Sequence, residues 1–535
     1  MGSLSDWTHK RSTITEIALA GAAGLLLTLA FPKTGISTLA WIALVPLFIS
    51  IRNLPIKTSF RQGLVAGFVH YTTLLYWLLP TLTLYGYLPV YLSIALLVLL
   101  SFYLALYMGA FTALLSKFAK TPAHFIITAP FFFTVLEYVR SFFLTGFPWG
   151  TLGYSQHKNL TLIQFCDITG VLGVSFLLVF SNGVFFLTGL WIFRKKWGES
   201  GVTKPALIIQ GLLLFTLLSL SVAYGKYRIH AIENQAALAP QVKMTAIQGN
   251  VDQSVKWDHA FQYSSTLKHL KLSKQAMTDK PDLIVWPETA APFYFNHDMG
   301  LSNMTLRRIR ETGASFLIGC PSYYTVDESF RYLNSAIIVT PEGRIGHRYD
   351  KVHLVPYGEY VPLKKYMPFL GKMVAQSGDF VPGEKGVPLS WNGHLIAAQI
   401  CFEIIFPDLT RAMVKNGAQV IVNITNDAWF GKTAAPHQHF AMTQFRAIEN
   451  RRALVRSANT GISGFISPTG KVVAQTPLYQ EAALTRSVPL LTVQSIYTRY
   501  ATPLSYIYLA IVAALVVIVS RKRNDPSPGP QPDES

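Results

Sequence analysis

Residues 62–116 contain no Asp, Glu, Lys or Arg and read QGLVAGFVHYTTLLYWLLPTLTLYGYLPVYLSIALLVLLSFYLALYMGAFTALLS. A chain folded in water has little use for so long an uncharged apolar stretch. A bilayer does, because about 20 apolar residues cross its hydrocarbon core as a helix. This stretch therefore predicts two consecutive membrane spans, and it decides how the rest of the chain is interpreted.

Outside this stretch the chain has the same membrane character. Of its 535 residues, 50% are hydrophobic and only 14% are charged, against about 25% charged residues in a typical soluble domain. Seven apolar spans precede residue 226, and one more follows much later. Their approximate bounds are 14–31, 36–51, 62–80, 88–115, 123–142, 162–193, 205–224 and 503–520. The composition thus predicts an α-helical transmembrane bundle of about eight helices, of which 88–115 and 162–193 are long enough to be tilted or broken.

Basic residues mark one side of this predicted bundle. They occur in alternate loops and at both termini, at Lys10–Arg11, Arg52–Arg61, Lys117–Lys120, Arg194–Lys196 and Arg521–Arg523, whereas the loop 80–88 carries no charge. Cytoplasmic loops carry the excess of Lys and Arg. Both termini are therefore predicted in the cytoplasm, with the first span kept as an uncleaved helix rather than a signal peptide. Residues 226–500 are predicted on the opposite, periplasmic side.

The formal net charge of +18 is consistent with either nucleic acid or anionic lipid as a partner. We favour lipid, because much of the basic excess lies beside apolar spans. The chain also lacks the interleaved basic and aromatic groove that single-stranded nucleic acid requires. The prediction is a multi-pass membrane protein with no nucleic-acid partner.

Four segments are predicted along the chain. Residues 1–225 form the seven-helix bundle, 226–490 a domain on the periplasmic side, and 491–522 the eighth helix with its lead-in. Residues 523–535, rich in Pro, Ser and acidic residues, form a disordered cytoplasmic tail.

The segment 241–487 has the pattern of a soluble α/β domain. Short β-branched runs recur, and helical patterns at about 258–277, 302–312 and 437–450 separate several of them. The predicted strands are Val242–Gln248, Asp282–Trp286, Ser315–Gly319, Ser335–Thr340, Leu395–Ile400, Gln419–Ile424 and Leu454–Ser457. Strands separated by helices predict helices layered on sheets.

The first chemically suggestive pattern is Asp-Leu-Ile-Val-Trp-Pro-Glu-Thr, residues 282–289. An apolar strand ends at a proline, and Glu288 follows at its mouth. A partly desolvated carboxylate there is suited to proton transfer. The alternative is a turn glutamate on a hydrated surface.

The second pattern is Tyr-Asp-Lys-Val-His-Leu-Val-Pro-Tyr-Gly-Glu, residues 349–359. The fixed charge of Lys351 is suited to stabilising a developing oxyanion, and Glu359 is expected to hold that lysine in place. The alternative for each is a solvated loop residue. His353 is left out of the predicted site, since a lone histidine is more often structural.

The third pattern is Leu-Ile-Ala-Ala-Gln-Ile-Cys-Phe-Glu, residues 395–403. Cys401 ends a buried strand, as a nucleophile on a sharp turn does, and a nearby carboxylate could take its proton to form the attacking thiolate. Glu403 is expected to position it. The alternatives are an inert buried thiol or a disulfide with Cys320 in an oxidising compartment, while Cys166 is expected to be a packed small residue.

Together the three patterns resemble the nitrilase, or carbon-nitrogen hydrolase, superfamily, whose Glu-Lys-Cys triad has the chain order Glu288, Lys351, Cys401. That resemblance covers about 241–487 and implies a four-layer α-β-β-α sandwich. A nitrilase-like domain between a seventh and an eighth membrane helix resembles the apolipoprotein N-acyltransferase family. Gln248-Gly249-Asn250, Lys256-Trp257-Asp258 and the run Asn423–Gly431 also match that family.

The resemblance implies a two-step acyl transfer. A phospholipid, typically phosphatidylethanolamine, donates the acyl group of its sn-1 ester to Cys401, and the resulting thioester is attacked by the α-amine of a diacylglyceryl-cysteine lipoprotein. Glu288 acts as the base, and Lys351 stabilises the oxyanion. No metal or other cofactor is implied, and a monomer is expected, since the membrane already confines both substrates.

Supporting features are also predicted. Trp257, Tyr357 and Trp429 are expected to line the lipid or amine path, with core packing as the alternative. Residues 361–380 place apolar groups among lysines, which suits a lipid interface and suggests a mobile lid over Cys401. The alternative is an ordinary amphipathic segment packed on its own domain.

Two other functions remain open at this point. A membrane-tethered amidase or nitrilase would use the same triad with water in the second step. A transporter or lipoprotein chaperone would need no triad, and ionisable residues in its spans would mark a path. Glu137, Arg140 and Asp167 are the candidates for such a path, although Glu137 and Arg140 lie on one helical face and are placed to pair.

Overall fold

The structure, a computed structural model, describes residues 12–198, 200–252, 259–295, 297–360 and 380–521. Apolar α-helices dominate its N-terminal part and return at the C-terminus. Their bounds are Thr13–Leu29, Val45–Ser50, Ile56–Leu74, Leu78–Pro80, Val90–Phe118, Pro122–Arg140, Leu160–Ile163, Cys166–Thr169, Val171–Ile192, Lys204–Leu238 and Ile496–Arg521. Among the described residues, five helices are long and apolar enough to cross a membrane: 90–118, 122–140, 171–192, 204–238 and 496–517. The predicted tail at 523–535 lies outside the described residues.

Three predicted spans are not single helices. In the segment 62–80 the main helix ends at Leu74, and a separate short helix, Leu78–Pro80, follows. The segment 36–51 is a 3₁₀ turn, Ser37–Trp41, followed by a short α-helix, Val45–Ser50. The long span 162–193 is broken at Gly170, and its main helix begins only at Val171. The helix Lys204–Leu238 is continuous through residue 225, so the boundary predicted there falls inside one helix.

The two long helices of the uncharged stretch 62–116, Ile56–Leu74 and Val90–Phe118, pack closely through small residues. A Cβ atom added to Gly63 would lie 2.4 Å from the backbone oxygen of Met108 and 2.2 Å from Thr112 Oγ1. Thr112 Oγ1 also donates a hydrogen bond of 2.7 Å to the Ser59 carbonyl. Close backbone approach and a buried hydroxyl bond are the interactions that hold helices together where the hydrophobic effect does not.

Fourteen strands are described. The first two, β1 (Lys196–Trp197) and β2 (Ser200–Gly201), form a small hairpin in a loop of the bundle. The others are β3 Gln241–Gln248, β4 Leu283–Val285, β5 Ser315–Val326, β6 Ser329–Val339, β7 Ile345–Asp350, β8 Leu389–Trp391, β9 His394–Ile400, β10 Val420–Thr425, β11 Leu454–Ala458, β12 Gly464–Ile466, β13 Val472–Gln475 and β14 Ala482–Pro489. They form two six-stranded sheets in the orders β14-β3-β4-β5-β6-β7 and β13-β12-β11-β10-β9-β8. Each sheet has a parallel centre, β3-β4-β5 in one and β9-β10-β11 in the other, with antiparallel edges.

Alternating side chains of the central strands explain how the sheets are layered. Leu283 and Val285 belong to the main core cluster, whereas Ile284 belongs to a second cluster with Leu270 and Ile309 of the covering helices. Ser457 Oγ joins the two sheets by donating hydrogen bonds to the backbone oxygens of residues 247 and 285. Helices His259–Ala276 and Met299–Thr312 cover one sheet, and Pro407–Lys415 and Ala435–Asn450 cover the other. This arrangement confirms the α-β-β-α sandwich.

Buried ion pairs join the sandwich to the bundle. Asp167 pairs with Arg451 at 2.8 Å and with Arg228 at 2.9 Å. The two other ionisable residues considered for a transport path lie 4.0 Å apart, Arg140 Nη2 from Glu137 Oε1. Arg140 also donates to the backbone oxygens of residues 147 and 149, and Glu137 accepts from the backbone N–H of residue 152. These groups therefore hold structural contacts in the fold.

Candidate active site

The three predicted reactive residues follow strand ends on both sheets. Glu288 comes shortly after β4, Lys351 directly after β7, and Cys401 directly after β9. All three are buried: the exposed fractions are 6%, 1% and 9%. Because the sheets stack face to face, their strand ends bring these side chains into one buried site.

The Lys351 ammonium is placed between two carboxylates. Its Nζ lies 2.9 Å from Glu359 Oε1 and 3.6 Å from Glu288 Oε1. Burial alone would lower the pKa of Lys351, but Glu359 and Glu288 outweigh it and hold that pKa above its usual value. The site therefore keeps a permanent positive charge in a dry environment, where charges act more strongly than in water.

Asn334, on β6, orients both carboxylates and was not predicted. Its Nδ2 donates to Glu288 Oε1 at 2.9 Å and to Glu359 Oε1 at 2.8 Å. The backbone N–H of Asn426 donates to Glu288 Oε2 at 2.9 Å, and the backbone N–H of Val355 donates to Glu359 Oε2 at 2.9 Å. Both oxygens of each carboxylate are thus held by donors.

Gly319 makes room for the chain around Glu288. A Cβ atom at this position would lie 2.4 Å from the Pro287 carbonyl oxygen and 2.7 Å from the Glu288 Cα. The turn itself is tight, since Thr289 has a φ of +51°. A side chain on β5 at this point would therefore displace the carboxylate.

Cys401 has the strained backbone of a residue on a sharp turn. Its φ is +54°, in the left-handed region that non-glycine residues rarely adopt, and it begins a 3₁₀ turn that ends at Ile405. Burial, reinforced by the Glu288 charge, raises the pKa of the thiol to about 12, against the opposing effects of Lys351 and a Thr425 hydrogen bond. The resting thiol is therefore protonated at neutral pH and needs a base to become nucleophilic.

Glu403 connects the turn at Cys401 to the loop that carries Lys351. Its carboxylate is fully buried and accepts the backbone N–H of Val352 at 2.6 Å, that of His353 at 3.1 Å and that of Ile400 at 2.7 Å. Tyr349 donates its hydroxyl to the same carboxylate at 3.0 Å. Glu403 thus fixes the relative positions of two loops, and none of these hydrogen bonds involves the thiol.

Behind Cys401 lies a buried polar network that the sequence revealed only in part. Arg456 Nη2 donates to Asp427 Oδ2 at 2.8 Å, and His439 Nδ1 lies 3.1 Å from Asp427 Oδ1. Burial opposes ionisation of Asp427, but Arg456 and His439 outweigh it and hold the pKa of that carboxyl below its usual value. The hydroxyl of Thr425 donates to Asp427 Oδ1 at 2.9 Å, which links this network to the thiol.

The aromatic residues predicted along the substrate path have different surroundings. Trp429 is 38% exposed; its ring packs edge-on against Tyr85 of the bundle at 5.8 Å, and its carbonyl accepts the Thr81 hydroxyl at 2.8 Å. Tyr357 is half exposed and has a φ of +61°. Trp257 lies outside the described residues, and so do residues 361–379 of the predicted lid.

An aromatic contact lies between the nucleophile and the membrane helices. Phe402, the residue after Cys401, has its ring centroid 6.4 Å from that of Phe147 in the bundle and 5.3 Å from that of Phe406. His353 stacks near Phe406 at 3.8 Å, so this histidine has a packing role. The thiol side of the site therefore borders the apolar helices.

All three cysteines are free. Cys166 and Cys320 are completely or almost completely buried, at 0% and 1% exposure. The alternative of a disulfide between Cys320 and Cys401 is therefore wrong, and Cys166 is a packed core residue as predicted.

The protein has a two-sheet sandwich, a buried cysteine, lysine and carboxylates, and apolar helices long enough to cross a membrane. These features define a membrane-embedded protein of the carbon-nitrogen hydrolase class. Residues 243–498 match the family model described as carbon-nitrogen hydrolase. Residues 23–184 match the model of the apolipoprotein N-acyltransferase N-terminal domain. The chain belongs to the apolipoprotein N-acyltransferase family.

Individual relatives show how far the likeness extends. The chain is 41% identical over 510 residues to the apolipoprotein N-acyltransferase of Geobacter metallireducens, covering 95% of this chain and 96% of that one. It is 31% identical over 498 residues to the enzyme of the same name from Pasteurella multocida, covering 90% and 91%. Among solved structures, an amidase from Nesterenkonia sp. is 17% identical, with a TM-score of 0.37, over 50% of this chain and 96% of that one.

Proposed function

We propose that this protein transfers a fatty acyl group from a phospholipid to the N-terminal amine of a diacylglyceryl-cysteine lipoprotein, through a thioester on Cys401. The observation that carries the proposal is the Lys351 ammonium, held between Glu359 and Glu288 in the buried site that also contains Cys401. That set supplies a nucleophile, a base and a fixed positive charge, which are the parts that acyl transfer requires.

In the first step, Glu288 takes the proton of Cys401 as the sulfur attacks the ester carbonyl of the phospholipid. Lys351 stabilises the negative oxygen of the tetrahedral intermediate. The intermediate collapses with cleavage of the ester C–O bond, and Glu288 returns the proton to the departing lysophospholipid oxygen. The acyl group is left as a thioester on Cys401.

In the second step, the lipoprotein amine attacks the thioester carbonyl. Glu288 takes a proton from the attacking nitrogen, Lys351 again stabilises the oxyanion, and the C–S bond breaks to form an amide. The thiolate regains the proton from Glu288. Because the pKa of the thiol is raised to about 12, proton transfer to and from Glu288 accompanies each step, and a free thiolate does not accumulate.

Exclusion of water is the condition for this chemistry, because a hydrated thioester would hydrolyse. The reacting residues are nearly inaccessible, and Phe402 borders the bundle through Phe147. We assign Trp429, Tyr357 and Trp257 to the substrate path and residues 361–380 to a lid over Cys401. Trp429 supports the assignment by its contact with Tyr85 of the membrane helices.

We also propose a bacterial inner-membrane location, with the catalytic domain in the periplasm and a monomer as the functional unit. Basic loops converge at one end of the bundle, where Arg52 Nη1 donates to the Lys196 carbonyl at 3.1 Å. The uncharged loop near Thr81 meets the catalytic domain at the other end. The positive-inside rule assigns the basic end of the bundle to the cytoplasm and the uncharged end, which meets the catalytic domain, to the periplasm.

The direct test is an acyl-transfer assay with phosphatidylethanolamine and a diacylglyceryl lipopeptide. The parent protein incubated with donor alone should gain the mass of one acyl chain on Cys401, and adding the lipopeptide should remove it and yield an N-acylated product. Cys401→Ser and Lys351→Met should form neither. Lys268→Met is a matched control, because Lys268 pairs with Glu481 on the surface, and such pairs contribute little.

The same assay separates the alternatives. An amidase would release ammonia from small amides and form no lasting lipid adduct on Cys401, and a transporter or chaperone would be indifferent to Cys401→Ser. Either result would overturn the proposed function.

A further inference from the structure

The β5–β6 hairpin projects beyond its own sheet. β4 pairs with β5 only at residues 315–317, and β7 pairs with β6 only at residues 335–339. The hairpin nevertheless continues in register to the pair Val326 and Ser329. We call residues 323–332 the arm.

One face of the arm is aromatic. Tyr323 lies opposite Tyr332, and Phe330 lies opposite Thr325, so these side chains share a face. Their rings pack in a row, with Tyr323 5.1 Å from Phe330 and 5.2 Å from Tyr294 on the neighbouring loop. His297 stacks on Tyr323 at 4.2 Å.

Part of this aromatic face is open to solvent. Phe330 is 56% exposed and Tyr332 is 36% exposed. A contiguous exposed aromatic surface marks an interaction site more often than a chance arrangement, since isolated exposed apolar residues are common but clusters are not.

The arm leads directly out of the active site. Asn334, whose amide holds Glu288 and Glu359, is only two residues from Tyr332 on the same strand. At about 3.3 Å per residue, Phe330 lies roughly 13 Å along the strand from Asn334. An extended chain leaving the site along the arm would therefore reach Tyr332 about two residues beyond its lipidated cysteine and Phe330 about four residues beyond it.

The chemistry of the arm favours a polypeptide over the bilayer. Most of its rings carry a polar atom, which suits the mixed polar and apolar surface of a peptide. Its tip, Asp327 and Glu328, is acidic and exposed, and an anionic membrane surface would repel it. The aromatic contacts with the membrane helices lie elsewhere, at Phe402 and Trp429.

We propose that the arm binds the polypeptide that follows the lipidated cysteine of the acceptor lipoprotein. The proposal rests on the proposed function, because it takes the acceptor amine to lie at Cys401. The arm then contributes to acceptor binding in the second step, while the first step with phospholipid proceeds without it. Acceptors too short to reach the aromatic face gain nothing from it.

The test compares two acceptors and two variants. The short acceptor is a diacylglyceryl-cysteine followed by one serine, and the long acceptor continues for about ten residues, more than the reach calculated above. The test variant is Phe330→Ala with Tyr332→Ala. The matched control is Tyr324→Ala, which removes an exposed aromatic ring from the same hairpin but from the opposite face.

The double variant should raise KM for the long acceptor about tenfold, as expected for the loss of aromatic anchors, with kcat unchanged. KM for the short acceptor, and acylation of Cys401 by phospholipid, should stay at the parent values, and Tyr324→Ala should behave as the parent. An equal loss with both acceptors, or no loss with either, would overturn the arm's role. Failure of the parent to acylate Cys401 at all would overturn the proposed function first, and that result is visible without any acceptor.

Discussion

Lys351 Nζ lies 3.6 Å from Glu288 Oε1, and the two groups are nearly inaccessible to solvent. At that distance the two opposite charges attract strongly, because screening by water is weak. The pair also shares Asn334 with Glu359. The site therefore has one ammonium and two carboxylates, and the neutral amide of Asn334 holds the two carboxylates in place.

Substituting Asn334 tests that balance. Asn334→Ala removes two hydrogen bonds to buried carboxylates, and the loss of each costs about 1–3 kcal/mol, so kcat/KM for acyl transfer should fall at least tenfold. Asn334→Asp should be worse by a further factor of about ten, because it adds a third carboxylate where like charges repel. The measurement is kcat/KM with one donor and one short acceptor. An Asp variant as active as the Ala variant would show that charge at this position does not matter.

Much of this site was predictable because its chemistry follows strand ends. Glu288, Lys351 and Cys401 each occupy a short local pattern, in which an apolar strand stops and a reactive side chain follows. The central strands were also predicted, since their buried, β-branched runs are continuous. The strand β14 lacks such a run, and the burial of its residues follows no clear period.

The unpredicted residues act across long chain separations. Asn334 sits inside β6 with no distinguishing neighbours, and Arg456 reaches Asp427 only because β10 and β11 pair in the fold. The length of the span 162–193 suggested a break, but no local pattern located that break at Gly170. In each case the information lies in a tertiary contact rather than in a local pattern.

Cys401 should show the pH dependence of a protonated thiol. Because the pKa of its thiol is raised to about 12, the thiolate fraction should rise about tenfold per pH unit between roughly pH 7 and pH 9. Alkylation of the resting protein by iodoacetamide, followed by mass spectrometry of the Cys401 peptide, should show that slope. A rate that levels off below about pH 8 would indicate a preformed thiolate instead.

Thr425 provides a control for this measurement. Its hydroxyl donates to Asp427 Oδ1 in the resting site, and by turning to donate to the sulfur instead it favours ionisation of Cys401. Thr425→Val should therefore slow alkylation at every pH with the slope unchanged, while Thr425→Ser should restore the parent rate. Cys401→Ser should give no adduct, because the other two cysteines are buried.

Membrane orientation is tested by labelling cysteines placed at the two ends of the bundle. In the Cys401→Ser background, Lys271→Cys lies on the exposed surface of the catalytic domain and Lys195→Cys lies in a basic loop. In cells whose outer membrane has been opened, a membrane-impermeant maleimide should label the first and spare the second. Lysed membranes should label both, which controls for accessibility, and the reverse pattern in whole cells would place the catalytic domain in the cytoplasm.

Substituting one or both members of the buried Arg456–Asp427 ion pair tests how far an unpaired buried charge destabilises the protein. Breaking a buried ion pair from one side leaves an uncompensated charge and typically costs about 3–5 kcal/mol. Arg456→Met should therefore shorten the half-life of the detergent-solubilised protein at raised temperature. Arg456→Met combined with Asp427→Asn should recover part of that loss, since the unpaired charge is gone.

Arg308→Ala, which breaks an exposed pair with Glu311 at 3.2 Å, should change the half-life little, because exposed pairs contribute about 0–1 kcal/mol. If the double variant is no more stable than Arg456→Met, the loss comes from packing and hydrogen bonding around Arg456, and its charge has no part in it.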